Sequence, residues 1–318
     1  MSPASRNNAT GADPERLLAR KSLLQLRARV LQALRVFFTK RGYLEVETPY
    51  LIPAPAPELH IDAVAAGGAF LHTSPELCMK RLLSAGYPRI FQIAKCFREG
   101  ERGGLHLPEF TLLEWYRAGF DYTDLMKECE ELIRFVAEYL GHGEVLTYQG
   151  REVKLERPWE RLTLGAAFER YAHISVEEAL ESGRFDEILA LEIEPHLGSP
   201  KPVFLYDYPA PLAALSRLKP GEDGVAERFE LYLGGGLELA NAFTELTDAR
   251  EQEERFLRER EKRASLGKKT YPLPKRFLED LPRMPPSAGI ALGVDRLVMF
   301  FGDTGRIDDV VTFTPEEL

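Results

Sequence analysis

The sequence predicts an α+β fold in which strands gather into one sheet with helices packed against it. Three observations predict it. Short strand-like runs occur at residues 70–72, 90–94 and 110–116, the last mixing aromatic and β-branched residues. Long stretches with apolar residues at helical spacing flank them, at about 13–40 and 122–140. Two further strand candidates, 228–233 and 237–244, are joined through Gly234-Gly235-Gly236, a tight turn between antiparallel strands.

The first helix opens on Asp13-Pro14-Glu15, which supplies a cap, a first-turn proline and a first-turn acid. Leu23, Leu24, Leu26, Val30, Leu31, Leu34, Phe37 and Phe38 recur along one face, so it should run to about Lys40 and stop at Gly42. Residues 1–12 before it are small and polar, and disorder is expected there. YLEVETPYL alternates and contains a proline, which reads as a strand. Residues 141–200 carry weaker signals, with helices near 163–171 and 176–191, and read as a connecting or inserted subdomain within a folded body spanning 13–318. A strand follows at 202–205, the charged run 248–263 has helical composition, and GIALGVDRLVMFF combines a glycine-containing strand with the start of a buried helix.

Composition bounds the function. The chain has 318 residues, ample for a large core, with 44% hydrophobic and 29% charged residues. Forty-one basic against fifty acidic residues give a net charge of −9, which weakens a nucleic-acid reading while leaving a local basic patch open. Cys78, Cys96 and Cys129 have no C-x-x-C spacing, which argues against a disulfide framework or a structural zinc. No apolar run approaches the roughly 20 residues that cross a bilayer, and no secretory signal is visible, so the cytoplasm is the expected location.

Three segments carry chemistry. In FREGERGGLHLPEFTLLEWY, at 97–116, Arg98 suits a phosphate, because a guanidinium forks onto anions and keeps its charge. Phe110 offers a face to a purine, Glu99 or Glu101 an acceptor to an exocyclic amine, and His106 a phosphate contact. In FELYLGGGLELANAFTEL, at 229–246, Glu230, Glu238 and Glu245 recur on strands that otherwise read as buried. Buried carboxylates are costly unless paired or bound to cations. Glu230 and Glu238 suit Mg²⁺ shared with a polyphosphate, and Glu245 a substrate ammonium. In GIALGVDR, at 289–296, Gly289 and Gly293 permit close approach to a ligand, and Arg296 suits a second phosphate or the purine face.

Together these segments resemble motifs 1, 2 and 3 of the class II aminoacyl-tRNA synthetases: GYLEVETP at 42–49, FREGER with HLPEF, and GIALGVDR. The likeness is nearest to the lysyl-tRNA synthetases, through Ser74-Pro75-Glu76 and the LEWY and LELANAF–TEL blocks, and extends from residue 15 to the end. With motif 1 beginning at residue 42 no room is left for an anticodon-binding domain, so a catalytic core standing alone is expected. Such a core resembles the elongation factor P lysine ligase family, which activates (R)-β-lysine with ATP and passes it to a lysine side chain of elongation factor P.

The resemblance implies an antiparallel sheet of six to seven strands flanked by helices, and a homodimer built around Pro49. It places Arg98 and Arg296 in catalysis and puts ATP on Arg98, Glu99, Gly100, Glu101, His106 and Leu107, with Phe110, Glu238, Leu239, Gly293 and Arg296. Ser74, Pro75, Glu76, Tyr116, Asn241, Phe243, Glu245 and Ala291 would hold the amino acid. Glu230 and Glu238 would hold Mg²⁺. Where lysyl-tRNA synthetases read Asn after the motif 2 Arg and inside His-Asn-Pro-Glu-Phe, this chain has Glu99 and Leu107. Where they read Gly-x-Gly-x-Gly, Ala291 takes the middle position, an added methyl expected to favour a β-amino acid. The expected partners are elongation factor P and lysine or β-lysine, without membrane or tRNA. The rival readings are a lysyl-tRNA synthetase-like core acting on tRNA or another acceptor, and a catalytically silent regulatory paralogue. The reaction needs no side-chain nucleophile, and the sequence displays no evident general base for its second step.

Overall fold

A computed structural model of the protein describes residues 14–222 and 224–318. The disorder expected of residues 1–12 and the Asp13 cap lie outside the described residues. The first helical stretch is divided at Arg20 into α1 (Pro14–Ala19) and α2 (Lys21–Lys40). On α2 the stripe Val30, Ala33, Leu34, Phe37 and Phe38 is buried, and Gly42, at φ +75°, ends the helix as a left-handed cap.

Residues 43–51 do not form one strand. They yield β1 (Leu44–Glu45) and β2 (Leu51–Ile52), separated by Pro49, which has no amide to give to a ladder. With β3 (Ala65–Ala66) and β4 (Ala69–Leu71), β2 makes a small separate sheet. Then come α3 (Glu76–Ser84), β5 (Arg89–Phe97), β6 (Glu109–Ala118) and α4 (Tyr122–Leu140). Asp121 caps α4 by accepting from the Thr123 and Asp124 amides.

Residues 141–200 contain three strands that periodicity misses. The hairpin β7 (Val145–Tyr148) and β8 (Arg151–Lys154) turns through Gln149 and Gly150, both at positive φ. Glutamine is an unusual first residue for that turn, which hides the signal. Next are β9 (Glu160–Thr163), α5 (Leu164–Ala167) running into a π-helical turn, then α6 (Val176–Glu181) and α7 (Phe185–Ile188), broken at Gly183 where one helix was expected. The remainder is β10 (Val203–Pro209), β11 (Val225–Leu233), β12 (Leu237–Thr244), α8 (Ala249–Ser265), α9 (Lys275–Asp280), β13 (Ser287–Gly293) and α10 (Val294–Phe301).

The main sheet has eight strands in the order β1-β5-β6-β13-β12-β11-β10-β9. It is antiparallel from β5 to β10, but the outermost pairs, β1 with β5 and β9 with β10, are parallel, so the sheet is mixed and larger than expected. Strand alternation positions the site. Leu113, Trp115, Ile290, Leu292, Ala242 and Phe229 join the core built with α2, α4 and α10. The intervening residues fall in rows across the opposite face. One row runs Glu114, Ala291, Asn241, Glu230; the next runs Tyr116, Gly289, Phe243, Arg228. Among the described residues no helix is long and apolar enough to cross a membrane.

Candidate active site

That second face floors a cleft with a cationic end and an acidic end. At the cationic end Arg98, just beyond β5, lies with its guanidinium 4.9 Å from the Phe110 ring centroid and 3.7 Å from Glu101. Its Nε is buried without a hydrogen-bond partner, a donor left for an anion. Arg296, in the first turn of α10, donates to the Glu238 carbonyl (2.7 Å) and carboxylate (3.1 Å), and its other nitrogen lies 2.8 Å from His106 Nε2. Burial, reinforced by the Arg296 charge, lowers the His106 pKa, so the imidazole is neutral near pH 7.

The acidic end is a network. Ser74 Oγ donates to Glu114 (2.6 Å) and accepts from the Glu76 amide (2.9 Å), while the Tyr116 hydroxyl donates to the other Glu114 oxygen (2.9 Å). Lys80, almost wholly buried, pairs with Glu76 at 2.6 Å and with Glu245. Burial opposes the Lys80 charge, but Glu245 and Glu76 outweigh it and hold the ammonium above its ordinary range. Glu245 therefore does not stand alone awaiting a substrate cation: it already faces an internal one. Burial, then the Glu76 charge, push the Glu114 carboxyl up to about 8. Glu245 Oε1 and Asn241 Oδ1 remain buried without hydrogen-bond partners, two acceptors at the acidic end, whereas Arg98 at the cationic end leaves a donor.

Gly289 earns its place here for a reason internal to the protein. A Cβ on it would lie 2.2 Å from the Tyr116 ring and 2.5 Å from Glu245 Oε1, so the side chains that make the acidic end cross directly over this residue. At Gly293 the nearest atoms to such a Cβ are Arg296 carbons at 3.7 Å, and space remains.

Most of the residues proposed from the sequence meet in this cleft: Ser74, Glu76 and Tyr116 from one side, Leu239, Asn241 and Phe243 from β12, and Ala291 with Gly293 from β13. Others lie outside its lining. Pro75 caps α3; Glu99 and Gly100 are exposed on the loop after β5; the Leu107 side chain turns into the helix-side core; Glu245, paired with the buried Lys80, is beside Gly289 but not in the lining. Four charged residues were missed, among them Asp295, which lines the cleft beside Arg296 and is held by Arg27 and the Thr111 amide. Glu114 sits two residues from Tyr116 on one strand and so shares its face; Lys80 sits four residues from Glu76 on one helix. Those offsets were available signals. Glu58, in the loop between β2 and β3, had none.

Of the two carboxylates expected to bind Mg²⁺, only Glu238 lines the cleft. Glu230, next along the row beyond Asn241, is engaged instead by Arg228 (2.6 Å) and the hydroxyls of Tyr208 (2.7 Å) and Tyr232 (2.8 Å). Burial and the neighbouring Glu230 charge raise the Glu238 pKa, a repulsion that a divalent cation relieves. Among the described residues no cluster of three or more His, Cys, Asp or Glu side chains is set to hold a metal. Hard oxygens on Glu238, completed by those of a polyphosphate, fit Mg²⁺.

The chain matches the family model described as tRNA synthetases class II (D, K and N) over residues 14–317. It is 39% identical over 304 residues to the elongation factor P–(R)-β-lysine ligase of Proteus mirabilis, covering 90% of this chain and 93% of that protein. The protein of the same name from Pseudoalteromonas translucida is 40% identical over 307 residues, with 91% and 94% covered.

Proposed function

The chain belongs to the class II tRNA synthetases and, within them, to the elongation factor P–(R)-β-lysine ligases, and on that premise we propose that it activates (R)-β-lysine with ATP and transfers it to a lysine side chain of elongation factor P. The observation that carries this reading is the polarity of the orphaned atoms: a donor on Arg98 at one end of the cleft, and at the other an acceptor on Asn241 in its lining with one on Glu245 beside Gly289. An aminoacyl-adenylate has the complementary order, an anionic phosphate followed by an acyl chain bearing ammonium groups.

In the first step the β-lysine carboxylate attacks the α-phosphorus in line and pyrophosphate departs. Arg98 and Arg296 neutralise the oxygens that gain charge, and neutral His106 lends a further polar contact. Mg²⁺ held by Glu238 with the phosphates, and backed by Glu230, would supply further charge neutralisation. Glu114, Glu76, Asn241 and the unpartnered oxygen of Glu245 receive the ammonium groups, while Phe243 and Tyr116 border the carbon chain. In the second step an amine displaces AMP. We infer also a homodimer, supported by the exposed apolar side chains Leu44, Tyr50 and Leu51 on either side of Pro49, and a cytoplasmic location. Residues 13–318 are read as one catalytic domain, with 141–200 as its connecting or inserted part; the separate apolar cluster of Leu164, Phe168, Phe185 and Ile188 supports that reading.

The test is the mass of purified elongation factor P after incubation with the enzyme, ATP and (R)-β-lysine; a gain equal to one β-lysyl group is expected, and charging of tRNA with no change in that mass would defeat the reading. Ala291 lies in register between Glu114 and Asn241, under the carbon chain. Ala291→Gly should lower the preference for β- over α-lysine, as a ratio of kcat/KM, by about 10-fold. A raised carboxyl pKa means that Glu114 holds a proton below about pH 8 and must lose it to receive an ammonium. The KM for β-lysine should therefore fall as pH rises from 6 towards about 8 and then level, with protons released on binding, measurable by calorimetry in buffers of different ionisation enthalpy.

A further inference from the structure

A second cavity, of about 570 Å³, adjoins the cleft and shares Glu58, Ile61, Asn241 and Phe243 with it. Its walls include the apolar side chains of Pro211, Leu212, Leu215 and Phe256. It also holds unmet polar groups. Gln252 is only 1% exposed, yet neither its amide oxygen nor its amide nitrogen has a partner, and the Nε of Arg228 is likewise buried and unpartnered. Native interiors rarely leave such groups unsatisfied unless water, an ion or a ligand completes them, and here they open onto a cavity.

Glu58 stands where the two cavities meet. Its backbone is fixed, because the fully buried Arg263 guanidinium of α8 donates to the carbonyls of Glu58 (2.6 Å) and Ile61 (3.0 Å). Its carboxylate receives no hydrogen bond or ion pair among the described residues. We propose that this second cavity is the passage by which the acceptor lysine reaches the adenylate, and that Glu58 at its inner end takes the proton from the arriving ammonium.

This deepens the function proposed above and rests on it. A lysine side chain presents four methylenes and then a cation, which matches apolar walls ending in a free carboxylate. The Gln252 amide, with one acceptor and two donor hydrogens, suits a peptide group of the acceptor chain. An ammonium has no lone pair, so attack requires its deprotonation. Burial, then the Glu76 charge, push the Glu58 carboxyl up to about 7, with Arg98, Arg228 and Lys80 opposing. Glu259, Arg255, Arg258 and Lys262 line the same cavity from α8. Such a carboxyl is a competent base at neutral pH.

The step balances. Glu58 takes one proton from the ammonium; the nitrogen lone pair forms the C–N bond at the acyl carbon; the bond from that carbon to the phosphate oxygen breaks, and AMP leaves with its electron pair. The second nitrogen proton passes to the departing AMP phosphate. Amide, protonated AMP and protonated Glu58 result, and Glu58 returns its proton to solvent through the cavity.

Enzyme-bound adenylate, formed from ATP and β-lysine and isolated, is mixed with elongation factor P across pH 6 to 9.5, and charging is followed by mass in a single turnover. The wild-type rate should rise through about pH 7 and then level. Glu58→Gln should slow transfer about 10²-fold or more, its yield of bound adenylate reporting that it folds. Transfer by Glu58→Gln at the wild-type rate overturns the inference, as does a wild-type rate that climbs about tenfold per pH unit up to the titration of the amine itself near pH 10. If Glu58→Gln forms no adenylate, the wild-type profile decides alone. Wild-type adenylate that charges no elongation factor P at any pH overturns the functional reading and this inference with it.

Discussion

Replacing Arg98 by alanine should lower ATP–pyrophosphate exchange by about 10³-fold or more, with little change in stability. The two halves of that expectation have separate grounds. Arg98 is weakly tied to the protein, through a 3.7 Å pair with Glu101 and the Phe110 ring, so its loss leaves no buried group stranded. On the proposed function its guanidinium would face the phosphoryl oxygens that gain charge in the transition state. Arg98→Lys should recover only part of the rate, since an ammonium keeps the charge but not the planar fork. Exchange at the unaltered rate in Arg98→Ala would remove this residue from the phosphate site, and with it the assignment of the motif around it.

Replacing Glu245 by alanine should damage both stability and substrate use. Glu245 and Lys80 side chains are each only 1% exposed. Removing one partner leaves the ammonium with Glu76 alone and should cost about 3 kcal/mol in denaturant unfolding. The variant should also lose most of its kcat/KM for β-lysine, because the Glu245 oxygen next to the Tyr116 ring disappears. The double variant Glu245→Ala, Lys80→Met separates the two effects. It takes the stranded charge away and should regain most of the stability, but none of the activity. A double variant no more stable than the single one would contradict the ion-pair account; full activity in Glu245→Ala would place the substrate ammonium elsewhere.

The lysine opposite Glu245 also illustrates how sequence reasoning stops short. Buried carboxylates on strands demand cations, and that demand was legible in Glu230, Glu238 and Glu245. Which cations meet it was not. Glu245 is met by Lys80 from a helix some 160 residues away in sequence, Glu230 by Arg228 two residues before it and by two tyrosines, and only Glu238 is left facing the cleft. A requirement for charge balance belongs to each residue, whereas its solution belongs to the packing.

Local signals otherwise went far. The Gly42 stop, the glycine turn between β11 and β12 and the strand-to-helix passage at Gly293 were all legible because turns and caps depend on nearest neighbours. The three motifs, met in order, identified the family and most of the cleft. The parallel edge strands, the hairpin turning on Gln149, the row that sets Ala291 between Glu114 and Asn241, and the meeting of two cavities at Glu58 were decided by tertiary structure alone. Chain-local chemistry settles what each segment prefers and what charge it must satisfy. The register between strands and the loops laid across them settle which groups meet, because those contacts join residues that no spacing along the chain relates.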